Sequence, residues 1–264
     1  MGVPTAKIVG RDGPVVLADV RQERLDRAAA DLGALGIDVT AVNCDVTDRD
    51  AVAALFATAA AIGDIRAVVH TAGVSPAMGD AEYIIRTNAL GTVNVNEAFH
   101  AIATSGVIVN VASMAAYLLP EELMPVAGFP LACSDESAFM AAMLPACDIG
   151  GEQARSGIAY SVSKGFVKWY SSSQAERFNR RGLRIVSVSP GSVDTEMGRL
   201  EEANGAGAMV VDAAVPRWGL PEEMAELFAF CISEKAGYLT GTDILNDGGV
   251  VASIRERSRV AAAQ

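Results

Sequence analysis

The sequence predicts an α/β domain in which helices cover both faces of a doubly wound, mostly parallel sheet. Two features predict it. Short β-branched runs alternate with longer helical patterns, the signature of βαβ units. Those runs are also near-continuously apolar, as strands buried on both faces are. The 264-residue chain reads as one such domain, residues 1–264, with no repeat, low-complexity segment or linker.

In chain order, strands are expected at Val15–Asp19, Asp38–Asn43, Ala67–Thr71, Val107–Val111, Ile185–Ser189 and Asp243–Asn246. Helices are expected near 22–35, 48–62, 80–104, 157–181 and 221–234. Asp48 and Pro221 stand at two of the helix starts, where a capping carboxylate and a first-turn proline are favoured. One stretch breaks the rhythm. Tyr117 to Ser156 holds prolines at 120, 125, 130 and 145 and is rich in Met, Leu, Ala and Phe. A loop of that length is usually functional. A lid over an apolar substrate and an oligomer contact fit its composition equally well.

Composition narrows the function. A net charge of −11 and a pI near 4.7 argue against nucleic acid and anionic membrane surfaces as partners. The most apolar stretch, Ala51 to Ile62, is too short to span a bilayer, and no apolar run after a basic start marks secretion. Cys44, Cys133, Cys147 and Cys231 show no C-x-x-C spacing, and only His70 and His100 could join them. Neither a disulfide framework nor a metal site is expected. The reading is a cytoplasmic enzyme domain with reduced thiols.

The chemistry-bearing residues stand at successive strand ends, where open α/β sheets bind ligands. Asp19 closes the first expected strand, placed to accept hydrogen bonds from both hydroxyls of a cofactor's adenosine ribose and to repel a 2′-phosphate. Asp45, followed by Val46, ends the next and can accept a bond from an adenine amino group. His70-Thr71-Ala72-Gly73 ends the third, where a glycine allows close backbone approach. His70 itself reads as a buried packing or supporting residue. Ser113 follows Val107–Val111 in VASMAAY, Asn88 interrupts a helical pattern in RTNALGT, and Pro190-Gly191 ends a later strand. An asparagine in mid-helix is awkward unless its side chain has a task. The strongest motif is Tyr160-Ser-Val-Ser-Lys164. Residues four apart share a helix face, so phenol and ammonium project together. A phenol acting as a base near pH 7 needs about three units of depression, roughly 4 kcal/mol, and Lys164, together with a cationic nicotinamide ring, is a natural source of that field.

From about Val15 to Val251 the chain resembles the short-chain dehydrogenase/reductase family. The resemblance implies that Tyr160 is the general acid/base and that Lys164 lowers its pKa and binds the nicotinamide ribose. It also implies that Ser113 holds the substrate oxygen and Asn88 anchors a proton-relay water. Asp19 matches the family's NAD-preferring acid, Asp45 its adenine contact, and Ala72-Gly73 the end of its N-A-G motif. Val193 and Thr195 match positions that hold carboxamide and phosphates, and Asn246-Asp247-Gly248-Gly249 resembles its closing strand. The implied activity interconverts a secondary alcohol and a ketone with NAD, on a hydrophobic substrate. A homodimer or homotetramer is the implied assembly.

Two departures from the family stand out. Ser113 and Tyr160 are 47 residues apart, more than the family's usual spacing, because of the 117–156 insertion; hydroxysteroid dehydrogenase/carbonyl reductase-like members carry a similar one. The other departure is at the start, since only fourteen residues precede Val15. Met1-Gly2 then resembles the last two residues of a G-x-x-x-G-M-G phosphate loop, followed by its helix through Arg11. The family's first, central strand and the rest of that loop are expected upstream of residue 1.

Overall fold

The computed structural model describes residues 1–263. Its elements run α1 (Gly2–Val9), β1 (Val15–Asp19), α2 (Gln22–Gly33), β2 (Val39–Asn43), α3 (Arg49–Ile62), β3 (Ala67–His70), α4 (Ala81–Ile85) and α5 (Gly91–Ile102). There follow β4 (Gly106–Val111), α6 (Glu136–Cys147), α7 (Glu152–Ser173), α8 (Ala175–Asn179), β5 (Leu183–Pro190), α9 (Glu196–Leu200), α10 (Gly207–Asp212), α11 (Pro221–Ile232), β6 (Asp243–Asn246) and α12 (Val250–Ala262). All six expected strands form, and every strand pair is parallel.

The strands make two separate sheets. β3, β4, β5 and β6 pair in that order, while β1 pairs with β2 alone. In the larger sheet Ile108 lies between Val68 and Ile185 and is fully buried. β4 and β5 are buried almost throughout, whereas β1 and β2 contain no fully buried residue. Among the described residues no strand lies between β1 and β3. Both border one cavity of about 1730 Å³, which continues across the carboxyl ends of the strands.

Local chemistry sets the helix boundaries. The Asp48 carboxylate accepts the Asp50 and Ala51 N–H groups and starts α3, satisfying donors that the first turn leaves free. Pro221 opens α11, and the Glu223 carboxylate accepts the Leu220 N–H at 2.8 Å. The helix expected over 80–104 is interrupted instead. Arg86–Leu90 forms a π-helical turn between α4 and α5, and turns of this kind are often found at functional sites. α12 was not foreseen. It follows two left-handed glycines, Gly248 and Gly249, where Asp247 accepts the Gly249 and Val251 N–H groups at 2.8 Å.

The 117–156 stretch is structured rather than a loop. Short 3₁₀ turns at Glu121–Leu123 and Val126–Cys133 lead into α6, which Asp135 caps. Buried Phe129, Phe139 and Met143 pack it onto the flank of α7. Phe129 lies edge-on to Phe166 at 5.3 Å and tilted against Trp169 at 5.4 Å, and Phe139 meets Phe166 at 5.3 Å. Aromatic pairs in these geometries add to what their buried area contributes. From this stretch only Leu118 borders the large cavity. The segment packs its buried side chains against α7, and apart from Leu118 it lies away from the cavity a lid would cover.

Candidate active site

The cavity collects almost every residue the sequence singled out. Gly2, Asp19, Asp45, Val46, Ala72, Gly73, Ser113, Tyr160, Lys164, Pro190, Gly191, Val193 and Thr195 all border it. Asn88 does not. The cavity runs from Asp19 at the end of β1, past the end of β3, to the phenol and ammonium on α7.

Asp19 and Asp45 are organised by their own turns. An Asp19 carboxylate oxygen accepts the Arg21 N–H at 2.8 Å. Asp45 accepts both the Thr47 N–H and the Thr47 hydroxyl at 2.8 Å. Each carboxylate keeps acceptor capacity beyond these bonds. Thr195 is the N-cap of α9, its hydroxyl accepting the Gly198 N–H at 3.0 Å, and Val193 forms a parallel bridge with Gly219. Gly2 is the first residue of α1.

Two of these glycines are closely packed by the protein itself. A Cβ on Gly73 would stand 3.0 Å from Asn88 Oδ1 and 3.4 Å from Lys164 Nζ, and one on Gly191 would stand 2.7 Å from Asp247 Cα. Asn88 explains its mid-helix position. Its side chain accepts the Val74 N–H at 2.8 Å and donates to the Val74 carbonyl at 3.0 Å and to Ser163 Oγ at 3.1 Å. It clamps the backbone just past Gly73. Its own carbonyl accepts the Thr92 hydroxyl at 2.7 Å, a bond the π turn accommodates.

Lys164 is buried and donates one hydrogen bond, from Nζ to the Val111 carbonyl at 2.8 Å. Burial brings its pKa down to about 8. An ammonium has three donors, and those not used on Val111 suit a ligand's hydroxyls. Nζ lies 5.8 Å from the Tyr160 ring centroid. The phenol itself is held above its ordinary pKa, mainly by burial and further by the Glu201 charge, while the adjacent Ser113 hydroxyl pulls it down. The Lys164 ammonium itself is turned to the Val111 carbonyl. Ser113 Oγ also accepts the Ala115 N–H at 3.2 Å as N-cap of the turn Met114–Tyr117.

His70 fits its supporting reading. It is buried, lowered to about 3 by burial and then by the Lys164 charge, and its Nε2 has no protein partner. Two features escaped the sequence. Ser163, inside the Tyr160–Lys164 motif, holds Asn88 and could have been found as part of that helix face. Glu201 reaches the cavity from a segment with no motif, and nothing in its neighbourhood marked it.

This fold places the chain in the class of Rossmann-like α/β proteins. Family models match at both ends: short chain dehydrogenase over residues 1–126 and Enoyl-(Acyl carrier protein) reductase over residues 142–251. The chain is 31% identical to the short-chain dehydrogenase/reductase bsc3 of Alternaria brassicicola, covering 96% of this chain and 92% of that one. It is 26% identical to gluconate 5-dehydrogenase of Gluconobacter oxydans, over 96% and 91% of the two chains. Among solved structures, a double mutant of a Serratia marcescens short-chain dehydrogenase/reductase aligns with a TM-score of 0.74 at 21% identity, covering 95% and 93% of the two chains. A dehydrogenase/reductase from Sinorhizobium meliloti aligns with a TM-score of 0.75 at 22% identity, covering 94% and 90%. The chain belongs to the short-chain dehydrogenase/reductase family. Residues 127–141, between the two matched regions, fall within the stretch that packs on α7.

Proposed function

We propose that this protein oxidises a secondary alcohol, or reduces the corresponding ketone, with NAD. The observation that carries the reading is the convergence of Ser113, Tyr160 and Lys164 in one cleft whose far end holds Asp19. When bound, NAD supplies the hydride acceptor. The protein's part is proton transfer and positioning. Tyr160, ionised to the phenolate under the positive charges of Lys164 and of the oxidised nicotinamide that would be bound beside it, takes the hydroxyl proton of the alcohol in oxidation, and as the phenol returns it in reduction. Ser113, beside that oxygen, holds the reacting oxygen. Lys164 keeps two donors for the nicotinamide ribose. Asn88 fixes the Val74 backbone under the cleft and, on the family pattern, anchors a relay water.

NAD is proposed over NADP because Asp19 ends β1 with a carboxylate that a 2′-phosphate would confront. Asp45 and Val46 are assigned to the adenine, Val193 and Thr195 to carboxamide and phosphates, and Gly2, Ala72, Gly73, Pro190 and Gly191 to the backbone lining. A relative named cis-4-hydroxycyclohexanecarboxylate dehydrogenase, of Sinomonas cyclohexanicum and 26% identical, supports an alcohol substrate. The apolar lining of Val74, Met78, Leu118, Met197 and Leu200 supports a hydrophobic one. Four free thiols support a cytoplasmic setting, and no helix among the described residues is long and apolar enough to cross a membrane. Assembly as a homodimer is proposed through β6 and α12, since the chain's own 117–156 stretch covers the Phe166 and Trp169 side of α7.

The test is NAD reduction over a panel of secondary alcohols by the 264-residue chain. Tyr160→Phe is expected to remove turnover by a factor of about 10²–10⁴ while NAD affinity stays within a few-fold. Near-normal rates in that variant contradict the mechanism. One observation favours a second reading, a cofactor-binding relative without turnover: β1 and β2 stand apart from the main sheet. NAD binding with no activity on any alcohol or ketone would select it.

A further inference from the structure

Glu196 to Asp212, which includes α9 and α10, contains no buried residue, although its residues Met197, Leu200, Glu201 and Met209 border the cleft. A segment with few buried contacts is among the first parts of a fold to open. Two ties run from it across the cleft. One is the ion pair of Glu196 with Arg24 on α2, whose partners are exposed and which therefore contributes little. The other is the Glu201 carboxylate, which accepts the Ala77 N–H at 2.8 Å.

The receiving side of that second tie is rigid. Ala77 lies in the short turn Pro76–Met78, where its N–H has no partner in the turn itself. Val74 before it is clamped at both N–H and carbonyl by Asn88, and the Gly79 carbonyl after it accepts the Ser156 hydroxyl of α7 at 3.1 Å. Asn204 steadies the carboxylate from its own side, Nδ2 to Oε2 at 3.4 Å. The segment is also held from its own side of the cleft, by Arg257 on Asp212 at 3.3 Å, by Arg199 over Trp218 at 4.3 Å and by Ser192 on the Ala206 carbonyl at 3.2 Å, but toward the fixed Pro76–Met78 turn its one charge-assisted hydrogen bond is that of Glu201.

We propose that Glu201 is a positioning residue for the alcohol–ketone reaction. It latches residues 196–212 across the mouth of the cleft through the Ala77 N–H and places a carboxylate in the same cleft as Tyr160. The proposal rests on the functional reading above only for its effect on rate. The groups set around the phenol are Lys164 on its own helix, Ser113 after β4 and Glu201 on the latched segment. Of these, Ser113 lowers the phenol's pKa and Glu201 raises it, alongside burial.

Hydrogen exchange on the full chain tests the latch without needing activity. In Glu201→Ala, exchange at Ala77 and across residues 197–210 is expected to accelerate at least about tenfold, as loss of a charge-assisted bond implies. Glu201→Gln, which keeps an acceptor, should give a smaller change, and the rest of the chain should be unaffected in both. Unchanged exchange at Ala77 and 197–210 in Glu201→Ala overturns the latch. The pH profile of kcat/KM separates positioning from mere packing. Removing the negative charge in Glu201→Gln is expected to move the limb assigned to Tyr160 to lower pH. An unmoved limb overturns the electrostatic part. Absence of turnover in the wild-type chain would count against the catalytic reading alone, and the exchange result would still decide the latch.

Discussion

The two sheets of this molecule are built to different standards. The β3–β6 sheet has both of its middle strands buried, and Asn110 in β4 satisfies its amide on Asn96 and Ser171 at 2.8–3.1 Å. The β1–β2 pair carries Asp19 and Asp45 at or just beyond its strand ends, but its apolar cluster is small: Ala6, Leu32 and Ile37, with Val15, Leu17 and Val39 partly buried. A two-stranded sheet gains little stability on its own. The residues proposed for proton transfer thus stand on firm ground, while the carboxylates proposed for the adenosine stand on a weakly supported ledge. Catalytic geometry and cofactor affinity should respond differently to the same perturbation.

Matched core truncations give the largest contrast. Ile108→Ala in β4 should cost about 3–4 kcal/mol and Leu17→Ala in β1 only about 1 kcal/mol, measured by denaturant unfolding. Equal costs would erase the distinction between the sheets.

His70 sharpens it through pH. Its folded pKa is depressed to about 3 from 6.5, so between those values the unfolded chain binds the proton and the folded chain does not. Stability from this group is complete above pH 6.5 and is lost as pH falls toward 3. The loss should be about 3 kcal/mol between pH 6.5 and 4. Unfolding free energies of wild type and His70→Asn over that range check it. An unchanged slope in the variant would show that carboxylates alone account for acid sensitivity.

The smallest effect concerns the ledge. Asp19→Ala should narrow the NAD-over-NADP ratio of kcat/KM by about tenfold, a 1.4 kcal/mol difference, with kcat on NAD little changed. A ratio that does not move would remove Asp19 from cofactor choice.

Much of this architecture was legible in the sequence because its signals were local. β-Branched apolar runs gave all six strands, and Asp48 and Pro221 announced their helices through capping chemistry that acts within a few residues. The Tyr160–Lys164 pair followed from helical spacing. What escaped depended on distant partners. Pro130 and Pro145 made 117–156 read as loop, yet burial of Phe129, Phe139 and Met143 against α7 overrides local propensity there. The phenol's raised pKa was also invisible, because it comes mainly from burial by residues brought together from distant parts of the chain. Glu201 acts through a backbone N–H of another loop, which no spacing rule reports.

Hydrogen exchange across the whole chain, with and without NAD, tests the central claim most directly. The amides of β1 and β2 should exchange much faster than those of β4 and β5 when NAD is omitted. Saturating NAD should slow β1 and β2 selectively, since a ligand that contacts both Asp19 and Lys164 ties the two sheets together. Uniform protection of the two sheets without NAD, or protection by NAD confined to the β3–β6 side, would contradict the account.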